Sequence, residues 1–130
     1  MLLVYDPQCP VCDAYCRALE RRGSHPGLEL VDARAPSAIM DEVTRRGLDI
    51  DEGMVLETDG KLYYGAEAIH ALAEYAPARG AFGRVNRWLF ASAPRARRLY
   101  PVLRAGRNLL LKALGRTRVN NLRLPGRARF

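Results

Sequence analysis

The sequence predicts an α/β fold: a core of order βαβαββα over residues 1–77, with a basic helical extension over residues 78–130 packed on it as one structural domain. Three observations carry that expectation. A short apolar run, Leu2 to Tyr5, gives way at Pro7 and Pro10 to helical spacing, and a second strand-like run covers residues 28–32, which is a βαβ pattern. Asp59-Gly60 separates the strand-like residues 54–58 and 61–64 by the kind of two-residue turn that needs positive φ and joins antiparallel strands. The composition then changes abruptly, all 14 acidic residues lying at or before Glu74.

Each element has a local cause. Pro10 suits a first helical position, where its missing N–H costs nothing, so Cys9 falls at the N-cap. Cys12, Tyr15, Cys16 and Leu19 then follow the i, i+3, i+4, i+7 spacing of one face, with a stop near Arg21 and Arg22 and Gly23 as cap. Ser37 after Pro36 opens a second helix carrying Ile39, Met40 and Val43 on one face, with Gly47 just past its end. Gly65 leads into a third with Ile69, Leu72, Ala73 and Ala76 at helical spacing, stopped by Pro77. In the extension, Phe82, Val85, Trp88 and Leu89 form a short helix before Pro94. Pro101 is expected to start another, its Val102, Leu103, Leu110 and Leu114 sharing a face docked on the core, and residues 116–130 read as an extended basic tail.

A length of 130 residues, 48% hydrophobic and 27% charged, suits one closed core. Met1 to Tyr5 carries no basic n-region and meets Asp6 at once, so no secretory leader is expected, and no run approaches the roughly 18 apolar residues of a spanning helix. The cytoplasm is the expected location. Residues 1–76 hold 7 Lys and Arg against 14 acids, whereas residues 77–130 hold 14 and no acid. Either the basic half pairs with the acidic half, or it makes a weak contact with a polyanion or a membrane surface.

The chemistry concentrates at Cys9 and Cys12. A sulfur at a helix N-cap faces free backbone N–H groups and the positive end of the helix dipole, which favours its thiolate. Cys12, one turn inside, is turned inward by the same periodicity. The expected arrangement is an exposed attacker and a shielded resolver. Three cysteines cannot close a disulfide framework, so CxxC beside a βαβ pattern reads as redox or metal chemistry.

Tyr-Asp-x-x-Cys-Pro-x-Cys near the N-terminus resembles the thiol-disulfide oxidoreductases of the DCC type, a thioredoxin-like family also catalogued as a domain of unknown function. The resemblance rests on Asp6, Cys9, Pro10 and Cys12, on the segment ending Tyr64-Gly65-Ala66-Glu67-Ala68, and on the tail around Tyr100 and Asn108. It implies disulfide reduction or exchange on a thioredoxin-like core. One departure stands out: enzymes of that fold usually carry a cis-proline before the third strand, facing the CxxC, where this chain has Asp51-Glu52-Gly53-Met54. That alters the peptide groove and leaves the sulfurs more open to a metal.

Alternatives remain at several positions. Cys9 and Cys12 could be zinc ligands, with Cys16 and His25 completing a Cys3His set, although only one knuckle is present. Cys16 is either a third redox sulfur or a packed core residue. Asp6 is a candidate catalytic residue, accepting the proton of Cys12 during resolution, or else an Asx-type cap on the Cys9 loop. Asp13 suits the helix dipole but opposes the Cys9 thiolate. His25, His70 and the Thr58-Asp59-Gly60 triplet belong to no catalytic pattern.

The resulting expectation is a protein-disulfide reductase in which a mixed disulfide at Cys9 is resolved by Cys12. Its partners are a protein or small-molecule disulfide and an unidentified thiol donor, and no cofactor is implied. The rival from another class is a binding module whose cysteines bind metal or are inert and whose basic helices dock on an anionic surface.

Overall fold

The computed structural model describes residues 1–21, 27–75 and 80–130; Arg22, Gly23, His25, Ala76 and Pro77, each given a part above, lie outside the described residues. Strands β1 (Leu2–Tyr5), β2 (Glu29–Asp32), β3 (Val55–Thr58) and β4 (Lys61–Tyr64) form one sheet in the order β2-β1-β3-β4. β1 pairs in parallel with β2 and antiparallel with β3, which continues antiparallel into β4. Helices α1 (Pro10–Arg21), α2 (Ala38–Arg45) and α3 (Ala66–Tyr75) complete the thioredoxin-like core, and α4 (Gly80–Phe90) and α5 (Ala93–Ala113) follow.

Period-two alternation in the central strands sorts the core into two layers. Leu3, Tyr5 and Leu56 face Cys16 and Leu19 of α1 and Ala68, Ala71 and Leu72 of α3. Val4 and Val55 face the other way, onto Met40 and Val43 of α2 and Ile50. A one-residue slip of β1 would exchange those faces, so the register is firmly set and with it the point where the chain leaves the sheet for Cys9. Short-range signals agree: the Ser37 hydroxyl accepts the Met40 N–H at 3.3 Å as the α2 cap, and Asp59 (φ 51°) and Gly60 (φ 74°) both take the left-handed conformation that the tight hairpin requires.

The extension departs from expectation in two ways. α5 does not begin at Pro101; it begins at Ala93, with Pro94 in its first turn and Pro101 inside it. Pro101 cannot donate to the carbonyl four residues back, yet the helix continues because its residues on both sides of the proline are held by packing. Ala96, Leu99 and Tyr100 lie with Ile69 and Ala73 of α3 and Phe90 of α4, and Leu111 is buried a turn before the end. The docked face is therefore this one. Val102, Leu103 and Leu114 are exposed and Leu110 is half-buried.

The tail, expected to be extended, folds back. Thr117 pairs with Arg129 in an antiparallel bridge, and the Arg118 N–H donates to the Ala128 carbonyl at 3.0 Å. Acidic residues before β3 hold it down. The buried carboxylate of Asp51 accepts the N–H groups of Val119 (2.8 Å) and Asn120 (2.7 Å), and Arg127 pairs with Asp49 at 2.7 Å. The Asn121 side chain accepts from the Ile50 N–H and donates to the Leu48 carbonyl, acting as a strand-like partner for a loop. Glu52 faces Arg104, Arg118 and Arg127, so part of the basic half pairs with the acidic half.

Gly53 lies where backbone and rings crowd. A Cβ there would sit 3.0 Å from the Gly65 Cα, the Tyr100 hydroxyl and the Tyr64 ring alike. Gly53→Ala should lower unfolding stability by about 1–3 kcal/mol, measured by denaturant melts, and an unchanged midpoint would show that the neighbours yield freely. Asp51→Ala leaves two inward N–H groups without an acceptor. Stability should fall by about 1–3 kcal/mol and amide exchange over residues 117–130 should accelerate; unaltered protection there would contradict the anchoring.

Candidate functional site

The loop between β1 and α1 is built by hydrogen bonds from Asp6. Its carbonyl accepts the Cys9 N–H at 3.1 Å, and its carboxylate accepts the Gln8 N–H at 3.0 Å, an Asx turn. Arg34, just past β2, grips the same carboxylate with a two-pronged fork, Nε to Oδ1 at 2.7 Å and Nη2 to Oδ2 at 2.9 Å. Its guanidinium also donates to the carbonyl (2.6 Å) and hydroxyl (3.2 Å) of Thr117. Asp6 is thus engaged on both oxygens.

Cys9 stands at the N-cap of α1. Its carbonyl accepts the Asp13 N–H at 2.9 Å, and its sulfur takes the place of a capping oxygen by accepting the Cys12 N–H at 3.3 Å. The Cys12 thiol donates to the same sulfur. That bond is the main reason the Cys9 thiol falls to about 7, against burial, which raises it; the N–H groups of Cys12 and Val11 and the charge of Arg107 add to the lowering. Cys12 moves far the other way, because it donates to Cys9, is buried and faces a neighbouring thiolate. The pair loses its first proton near neutrality, with the charge on Cys9.

Exposure runs against expectation. Cys9 is 0% exposed, and Cys12 is half-buried against the α1 and α3 layer, so neither is the exposed attacker expected. Capping is the cause: to reach the Cys12 N–H, the Cys9 side chain folds back over the first turn. A helix distant in sequence adds its charge.

That helix is α5. The Arg107 charge bears on both sulfurs, while its guanidinium donates to the Asp51 carbonyl and to Asn108 Oδ1 and lies 5.9 Å from the ring of Phe130. Arg118 stacks on the same ring at 4.6 Å. Tyr100 donates to the Glu52 carbonyl at 3.4 Å and accepts the Met54 N–H; burial raises its hydroxyl above the usual range. The segment that lacks the proline is thus backed by Tyr100. Arg34 and Arg107 were missed from sequence. Tyr100, Arg107 and Leu111 follow a helical i, i+7, i+11 pattern that becomes legible once the helix is started at Ala93.

The remaining candidates sort by contact. Cys16 lies wholly inside the α1 and α3 layer, its thiol pushed up to about 12 by burial first, then by the charges of Asp13 and Cys9. Asp13 accepts from Arg17 (2.8 Å) and the Tyr5 hydroxyl (3.0 Å), and Arg17 chiefly holds it below the usual carboxylate range. His70 Nδ1 lies 2.7 Å from the Phe90 carbonyl and ties α3 to α4. Asp59 is a turn residue. Among the described residues no three His, Cys, Asp or Glu side chains converge as a metal site, and His25 lies outside them.

Among the described residues no helix is long and apolar enough to cross a membrane. No curated protein and no solved structure matches the chain. A family model described as DCC1-like thiol-disulfide oxidoreductase matches residues 3–113, spanning the CxxC loop, the sheet and the whole of α5. With the cysteines, the sheet and the helix that carries Arg107 all inside the matched span, the chain belongs to the DCC1-like thiol-disulfide oxidoreductase family.

Proposed function

We propose that the protein is a dithiol reductase of disulfides, with Cys9 as nucleophile and Cys12 as resolving thiol. The observation that carries the reading is the Cys9 sulfur at the N-cap of α1, accepting the Cys12 N–H at 3.3 Å, with the Cys9 thiol lowered to about 7 and that of Cys12 raised. The Cys9 thiolate attacks one sulfur of the substrate disulfide; that S–S bond breaks, and the second substrate sulfur leaves as a thiolate and takes up a proton. Cys12 then gives up its proton and attacks Cys9 in the mixed disulfide. The substrate's remaining sulfur departs, leaving a Cys9–Cys12 disulfide and a substrate reduced by two electrons, and an external thiol donor resets the pair.

Pro10 and Val11, exposed between the sulfurs, offer the surface on which a disulfide approaches. Because Cys9 is covered, attack requires a small opening of the cap. In this reading Asp6 is a positioning residue rather than a proton acceptor, since Arg34 and the Gln8 N–H occupy its oxygens. Residues 1–77 and 78–130 act as one unit, because Arg107 from the second part tunes sulfurs in the first.

Alkylation of the reduced protein across a pH series should give a Cys9 rate that is half-maximal near pH 7, because a lowered thiol pKa populates the thiolate below the ordinary thiol range. Arg107→Gln should move that midpoint upward. A wild-type midpoint near about 8.5, or faster labelling of Cys12, would refute the assignment.

Serine variants separate the three sulfurs. With bis(2-hydroxyethyl) disulfide as substrate, Cys9→Ser should lose about a hundredfold or more, Cys12→Ser should trap a mixed disulfide on Cys9, and Cys16→Ser should retain turnover. Loss of turnover in a folded Cys16→Ser protein would require a three-cysteine mechanism.

A further inference from the structure

The outer side of α4 and α5 carries large apolar residues that no other described residue covers. Trp88 is 68% exposed, Val102 68% and Leu109 70%, with Val85, Leu103 and Leu114 about half exposed. Trp88, Val102 and Leu109 form one surface. Arg95, Val102 and Leu109 are spaced by seven and share a face of α5, and the Arg95 guanidinium lies 5.3 Å from the Trp88 ring centroid while donating to the Trp88 carbonyl, which joins the two helices. Val85 continues the stripe one turn back along α4.

The rim is cationic. Arg84, Arg87, Arg98, Lys112 and Arg116 pair with no carboxylate among the described residues, and the sequence has no acid after Glu74. Contrast this with the inner side of the extension, where Arg104, Arg118 and Arg127 meet Asp49 and Glu52. Both properties constrain the occupant. A second copy would bring an equally basic rim against this one. A nucleic acid would satisfy the arginines but leave tryptophan, valine and leucine facing phosphates and water. A bilayer interface with anionic headgroups takes the apolar stripe and the cationic rim together.

We propose that the α4–α5 face is a docking surface for anionic membranes, lying flat on the interface without crossing it. At ~100° per residue, Tyr100 and Arg107 lie on the opposite side of α5 from Val102 and Leu109, so docking leaves the cysteines turned away from lipid. The proposal is independent of the redox reading, since Val102 and Leu109 lie across α5 from Arg107.

Trp88 is the protein's one tryptophan and reports directly. The full chain, reduced, is mixed with vesicles of phosphatidylcholine and phosphatidylglycerol, or of phosphatidylcholine alone. Co-sedimentation and a blue shift of Trp88 emission are expected with the mixed vesicles only, and part of the binding should survive high salt, because apolar burial is not screened. The double variant Val102→Ser, Leu109→Ser should bind about tenfold or more weaker with its alkylation profile unchanged. Binding abolished by salt with no Trp88 shift, and matched by a single-stranded oligonucleotide, would leave only polyanion attraction and overturn the proposal. So would absence of vesicle binding, or a blue shift that appears with protein concentration alone and marks self-association through this face.

Discussion

The fork between Arg34 and Asp6 is the constraint that the site rests on. The two side chains are 20% and 7% exposed, and the pair joins three pieces of chain: the loop after β1, the connection after β2, and Thr117 at the start of the folded-back tail. A pair this buried contributes little net stability when intact, but removing one partner strands a charge at a cost of about 3–5 kcal/mol. Its value is geometric. Asp6 is also the residue whose carbonyl and carboxylate set the turn into Cys9, so a displaced guanidinium would loosen the entry to α1 and with it the cap on which the thiolate depends.

Thiolate stabilisation also bears on direction. Favouring the Cys9 thiolate stabilises the reduced pair and so makes its disulfide a better oxidant. The extent matters: CxxC sulfurs of strong oxidants titrate at roughly 3.5, those of reductases at roughly 7. For Cys9, burial opposes the Cys12 thiol and the backbone N–H groups of the first turn, so the net lowering stops at about 7. Where the proline is lacking before β3, Gly53 packs against Tyr100 of α5 and the Tyr64 ring, so that segment is held by α5 as well as by the sheet.

Local signals were readable wherever one short stretch decides the outcome. The βαβ pattern, the Ser37 cap, the Asp59-Gly60 hairpin and the N-cap position of Cys9 each depend on a few adjacent residues, and each appears where its chemistry places it. Illegible features involve a competition between distant groups. Pro101 looked like a helix start because that is where proline is tolerated locally; packing of Ala96, Tyr100 and Leu111 overrides the lost hydrogen bond. The tail looked extended because its own residues offer no periodicity, and its shape comes from Asp51, Asp49 and Asn121, of which two lie more than a helix length upstream. Cys9 is expected to be exposed from its N-cap position, but the sulfur that caps the Cys12 N–H folds back over the first turn and is covered.

The division of charge within the extension explains why a strongly basic segment does not by itself set the chemistry of the sulfurs. Arginines on the outer side of α4 and α5 are solvated, and their fields fade over a Debye length of roughly 8 Å at physiological ionic strength. Those on the inner side are largely spent on Asp49 and Glu52. Arg107 is different. It points at a backbone carbonyl and an amide oxygen rather than at a carboxylate, so its positive charge is oriented without being neutralised and remains available to a thiolate. A carboxylate in place of either acceptor would hold the guanidinium equally well and cancel its effect on Cys9. The neutral partners of this one arginine therefore leave its charge free to add to a lowering of Cys9 that the Cys12 thiol chiefly causes.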